Sequence, residues 1–269
     1  MKAILLRICY LLAMLLCSII FVIIVLFSPI EFLLTGHSVW CGRILDKAEE
    51  ISEKIKAKNE IIMEKEKKYK LTDDFITFNG RKLYRIEALR DFADVKAGDK
   101  GGYVESEDNL SHSGNAWVGG NAWVGGNAVV EGDAWIRGNA VVSGNAIVGG
   151  NAVVSGNAIV EGNAVVNGNA AVEGDAVVNG NAKIEGNAWI RGNAVANSSQ
   201  DYIVFKNHFS SGRYFTWTRS NDMWKVGCFY GTGEELIQKA YEDSERKGKF
   251  YEAYVNFVEQ LKKIENELT

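Results

Sequence analysis

Ser113-Gly114-Asn115-Ala116-Trp117-Val118 opens a run of fourteen six-residue units that continues without insertion to Ala196. Glycine is second and alanine fourth in every unit, from Gly114 and Ala116 to Gly192 and Ala194. Asparagine is third in twelve units; Asp133 and Asp175 replace it in the other two. The sixth residue is Val or Ile until Ala196. A strict short period of this kind is the signature of a solenoid. Along a strand, side chains alternate between faces, so Ala and Val point inward and the fifth residue points out. Gly-Asn makes the corner, where the backbone needs positive φ. Stacked Asn amides can form ladders between coils. Three units make one triangular coil of 18 residues. Fourteen units then give between four and five coils, a prism roughly 22 Å tall. The expected fold is mainly β: a left-handed parallel β-helix (residues 113–196), with an N-terminal transmembrane helix and a small C-terminal α+β module.

The fifth position should be polar if it faces water, and here it is largely apolar. One face of the prism is expected to carry Trp117, Trp135, Val153, Ala171 and Trp189. A second carries Trp123, Val141, Ile159, Val177 and Val195, and the third Val129, Ile147, Val165 and Lys183. Contiguous apolar faces of this extent mark an interface. Trp117, Trp123, Trp135 and Trp189 are therefore the candidate binding residues, for self-association, for packing of the flanking segments or for a ligand. Strand propensity alone would explain the valines, but not four tryptophans.

Before the repeats, Asn79-Gly80 sits between apolar runs and predicts a two-residue hairpin turn, with strands over 75–78 and 83–89. The first coil of a solenoid exposes an apolar end and unpaired backbone, so residues 75–112 are expected to cover it. Further upstream, residues 37–74 form a charged linker. Ile44, Ala48, Ile51, Ile55 and Ile62 fall on alternating steps of four and three, with Lys58 and Lys65 in the remaining places. That is a short coiled-coil seam, with isoleucine favouring trimers, or else a lone amphipathic helix.

Ile8 to Phe27 contains no charged residue. As a helix this run is ~30 Å long, the thickness of a bilayer core. Residues 1–36 are expected to be a single-pass anchor. A cleavable signal peptide is the alternative, but the run is long for one and no A-x-A site follows. Positive charges before and after the span tie, leaving its orientation open. Of four cysteines, Cys228 alone lies in the soluble body. That gives no disulfide framework there and leans towards a cytoplasmic body. With a net charge of −4, no basic field favours nucleic acid.

After the repeats, residues 197–269 read as the α+β module. Strands are predicted over 202–206, 213–218 and 223–230, and Thr232-Gly233-Glu234-Glu235 is a capping box. One helix follows with Leu236, Ile237, Ala240 and Tyr241. A second is expected to carry Phe250, Tyr254, Phe257, Val258, Leu261 and Ile264 on one face. Trp217, Trp224 and Tyr230 could form an aromatic binding surface, with core packing the expected use.

The repeats resemble the hexapeptide-repeat superfamily of trimeric left-handed β-helix proteins, whose best-known members are acyltransferases. Phe92 to Ser111, reading FADVKAGDKGGYVESEDNLS and leading into Gly114-Asn115-Ala116-Trp117, is similar to the YdcK-like group of bacterial and phage proteins. The match covers roughly residues 84–196. It implies a β-helix and trimers. Enzymes of that superfamily use a histidine base and a loop that leaves the coil to shape the acyl-donor site. Here the histidines are His37, His112 and His208, none lies within the regular repeats, and no loop interrupts them. His112 is the sole candidate base, with a cap or corner role as the expected alternative. Asp133 and Asp175 fall on different faces and read as Asn isosteres rather than metal ligands. Cys228 and His208 are expected to be a buried strand thiol and a turn histidine rather than a catalytic pair.

The expected function is therefore a non-catalytic, membrane-anchored scaffold or interaction protein. It would be trimeric, have no cofactor or metal, and could bind a protein or glycan partner. An acetyl-CoA-dependent acyltransferase and an envelope or glycan-binding protein are the alternatives.

Overall fold

The structure, a computed structural model, describes residues 46–58, 67–209 and 212–268. The chain divides into two compact units, Met1–Glu66 and Lys67–Thr269. In the first unit residues 46–58 are helical, and the seam residues Ile51 and Ile55 are exposed. The apolar run Ile8 to Phe27 and the expected anchor 1–36 lie outside the described residues, as do seam positions Ile44, Ile62 and Lys65. Among the described residues no helix is long and apolar enough to cross a membrane.

The second unit begins with a hairpin of β1 (Tyr69–Phe78) and β2 (Arg81–Ala88), paired from Tyr69↔Ala88 to Phe78↔Arg81. Asn79 and Gly80 form its two-residue turn, with φ of 48° and 78°. Strand β1 starts upstream of position 75, so residues placed in the charged linker belong to the cap. The reason is packing: Lys68 and Tyr69 are fully buried against the first coil, despite lying in a run of charges. β3 (Lys100–Val104) pairs antiparallel with β2 and parallel with the strand at Trp123–Val124, joining the hairpin to a solenoid face.

The repeats form fourteen two-residue strands, β4 (Trp117–Val118) to β17 (Val195–Ala196). They coil into a parallel solenoid of about five turns with three faces. Each strand pairs with the one 18 residues on, as in Trp117↔Trp135 and Val153↔Ala171. The inward alanines and the inward Val or Ile are at most 1 % exposed. Each buried Val or Ile contributes about 1.5–3 kcal/mol of apolar burial. Every second-position glycine takes a φ between 62° and 76°. The glycines also stack closely: a Cβ on Gly156 would lie 2.8 Å from the Gly174 carbonyl oxygen. At the corners, Asn139 donates to Asn157 at 3.0 Å and Asn145 to Asn163 at 2.9 Å.

The C-terminal module carries a four-stranded antiparallel sheet, β18 (Tyr202–Lys206), β19 (Tyr214–Thr218), β20 (Met223–Val226) and β21 (Phe229–Gly231). The single strand expected over 223–230 is two strands, because Gly227 and Cys228 form a tight turn between Val226 and Phe229. Gly227 has φ 56°, the conformation required at the first central position of such turns. Helices α1 (Gly233–Asp243) and α2 (Glu245–Leu268) pack on the sheet. Thr232 caps α1 through the Glu235 N–H, as its spacing predicts.

The buried face of α2 matches the expected one in part: Val258 is buried and Phe250 and Tyr254 pack partly buried on the same core. Gly248, Tyr251, Val255 and Val258 are buried, whereas Phe257 and Ile264 are 48 % and 52 % exposed. Gly248 lies against the Tyr241 ring, where a Cβ would fall 2.3 Å from it, so the residue there has no room for a side chain. Trp217 and Trp224 are core, as expected. Cys228 is exposed in its turn rather than buried in a strand.

Candidate functional site

A parallel solenoid has chemically distinct ends. Here each fifth-position N–H donates to an alanine carbonyl one coil further on, as Trp117 does to Ala134 at 2.9 Å. The first coil therefore has carbonyls with no coil above them, and the last coil has N–H groups with none below. Leaving such groups buried and unpaired costs about 1–3 kcal/mol each.

At the first coil, donors fill the gap. Lys68 Nζ donates to the Ala116 carbonyl at 2.7 Å, the Tyr103 N–H to Ala122 at 2.9 Å, and Asn109 Nδ2 to Ala128 at 2.8 Å. The buried lysine thus replaces a backbone amide. Burial, with Arg90 nearby, pushes its pKa down to about 8. At the last coil, acceptors fill the gap. The N–H groups of Lys183, Trp189 and Val195 donate to the hydroxyls of Ser199, Thr216 and Ser220 at 3.3, 3.0 and 2.7 Å. Tyr230 adds an O–H bond to the Arg191 carbonyl at 3.1 Å, and Asn221 joins the corner ladder at Asn193.

Three of the four candidate tryptophans serve these same junctions. Trp117 is buried edge-on to Tyr69 and Phe92, and Trp123 packs on Phe78 with centroids 5.0 Å apart. Trp189 lies under the Lys225 ammonium, 3.8 Å from its ring centroid. Trp135 packs partly buried on the solenoid wall between Trp117 and Val153. The flanking segments thus cover the outer faces at the end coils, while Val141, Val153, Ile159 and Val165 between them stay half-buried and Ile147, Lys183 and Val195 are exposed.

His112 belongs to the N-terminal junction. Its Nδ1 accepts the Lys68 backbone N–H at 3.2 Å, and its ring stacks on Tyr69 with centroids 4.4 Å apart. Nε2 is shielded from solvent and lies 3.7 Å from the Glu107 carboxylate, beyond hydrogen-bond reach. Burial holds the histidine below its ordinary pKa, against the opposing pull of Glu107. One nitrogen is committed to the backbone and the other is shielded from solvent. Lys68, the central group of the junction, was invisible as such in the sequence, where it reads as one of a run of lysines.

Asp133 and Asp175 lie at different corners, as expected. Each accepts from the asparagine one coil earlier, Asn115 and Asn157, both at 2.8 Å. Among the described residues no group of three or more His, Cys, Asp or Glu could hold a metal ion. His208 is exposed, 3.3 Å from the Tyr254 hydroxyl. The exposed Cys228 borders a shallow cavity in the C-terminal module that Arg213, Lys239 and Tyr251 also line. Comparison with known proteins finds no matching family model and no significant match among curated proteins.

Proposed function

We infer that the chain is a non-catalytic scaffold: a left-handed solenoid, trimeric and tethered to a membrane by residues 8–27, that carries its C-terminal module at the last coil. The observation that carries this reading is the sealing of both solenoid ends by the chain's own side chains, with uninterrupted coils between them. A rod built this way transmits position and leaves no loop to shape a catalytic pocket. The resemblance of the repeats to the hexapeptide superfamily supports the handedness and the trimer. The uncharged run supports the tether, and the free Cys228 thiol supports a body on the cytoplasmic, reducing side.

Light scattering on the full chain in detergent tests the assembly, with three copies expected; a monomer at high concentration contradicts it. An acetyl-CoA titration of the same sample should show no saturable binding. Saturable binding that disappears in His112→Ala would replace the scaffold reading by an acyltransferase.

A further inference from the structure

We propose that His112 is an acid-sensitive latch that fastens the start of the cap, at Lys68 and the first strand that follows it, onto the solenoid. The imidazole holds the backbone of the very residue whose ammonium closes the first coil. The Lys68 N–H is a fixed donor, so Nδ1 accepts it only when unprotonated. A proton on Nδ1 would place two N–H groups head to head and break that bond.

The surrounding charges do not prevent this exchange of states. Just ahead of β1, Lys67 and Lys68 face the ring and disfavour its charged form, and Tyr69 of β1 stacks on it. From the short turn at Glu107–Asn109, Glu107 favours the charged form but is already bridged to Lys67 at 3.0 Å. Asp108 faces Tyr69, while Arg90 and Asp133 act on Lys68. Burial of the ring disfavours its charge, so protonation is accommodated by opening the junction. Opening frees Lys67 to Tyr69, exposes the imidazole, and uncovers Trp117 and the Ala116 carbonyl. The histidine is thus held neutral in the closed state and becomes protonated in the open one. The closed state is fully favoured above the ordinary histidine pKa and loses ground as the pH falls below it.

Hydrogen exchange of the full chain in detergent, corrected for intrinsic rates, tests this. Peptides covering 67–78 should lose protection as the pH falls from about 7.5 to about 5. Peptides covering β19 and β20 should stay unchanged. In His112→Gln an amide oxygen can accept the same N–H at any pH, so the loss should vanish. In Glu107→Gln the closed-state ring is harder to protonate, so the loss should begin at the same pH but run to lower pH and to greater depth. A wild type with no pH-dependent loss, or a loss that persists in His112→Gln, overturns the proposal. So does a loss no deeper in Glu107→Gln than in the wild type, which reports on the latch even if the His112 variant does not fold.

Discussion

The Val195 backbone N–H donates to the Ser220 hydroxyl at 2.7 Å, so a side chain of the C-terminal module stands where the next coil's alanine carbonyl would be. Thr216 does the same for Trp189, and Ser199 for Lys183. Each of the three faces ends on one hydroxyl. The module is therefore the chemical continuation of the solenoid. Thr216→Val keeps the shape and removes the acceptor, and should cost about 1–3 kcal/mol in denaturant unfolding. Ser220→Ala, at a more exposed bond, should cost less. The two losses fall on different faces and should add.

The opposite end predicts a pH dependence. Lys68 has a folded pKa of about 8, lowered by burial from 10.5. Between those values the unfolded chain binds more protons than the folded one, so stability rises with pH across that window. Tyr69 acts in the opposite sense at higher pH, because burial raises its pKa and keeps its proton in the fold. Denaturation midpoints should therefore climb from pH 8 towards 10 and then turn over. In Lys68→Met the climb should disappear.

The corner glycines are fixed by two independent constraints. Gly156→Ala meets a left-handed backbone with φ 74° and a carbonyl 2.8 Å from the new Cβ. The conformation alone costs about 1–2 kcal/mol, and the clash adds to it. Gly186→Ala meets a similar φ of 67° with nothing within 4 Å, and should cost only the conformational part. Thermal unfolding of the pair separates the two contributions.

Asp175 accepts from Asn157 and cannot pass a hydrogen bond on to the next corner. Asp175→Asn restores a donor and should change stability by less than about 0.5 kcal/mol. A large loss would mean that the carboxylate does something the ladder does not explain.

The solenoid, its register and its three outward faces were legible in the sequence because a six-residue period leaves little choice of which side chains point inward. The Asn79-Gly80 hairpin and the Thr232 cap were legible because each motif is local. The seals were not. Lys68 lies in a lysine-rich run, and only a carbonyl brought close by the fold shows that its ammonium acts as a backbone donor. Ser199, Thr216 and Ser220 read as ordinary turn and strand residues. On α2, Tyr251 and Val255 share the buried face with Val258, while Phe257 and Ile264 at its edge stay exposed. At Gly227-Cys228 the signal was a single glycine inside an apolar run, which fits a bulge as well as a turn and so does not by itself place the strand break or the exposed Cys228.

Residue-resolved hydrogen exchange at the last coil bears most directly on whether the solenoid and the module form one sealed rod. The amides of Trp189 and Val195 should be protected to the same degree as those of Ala171 and Val177, one coil inside. Exchange at loop-like rates, with the interior amides still protected, would mean that the end is open and the module only loosely attached.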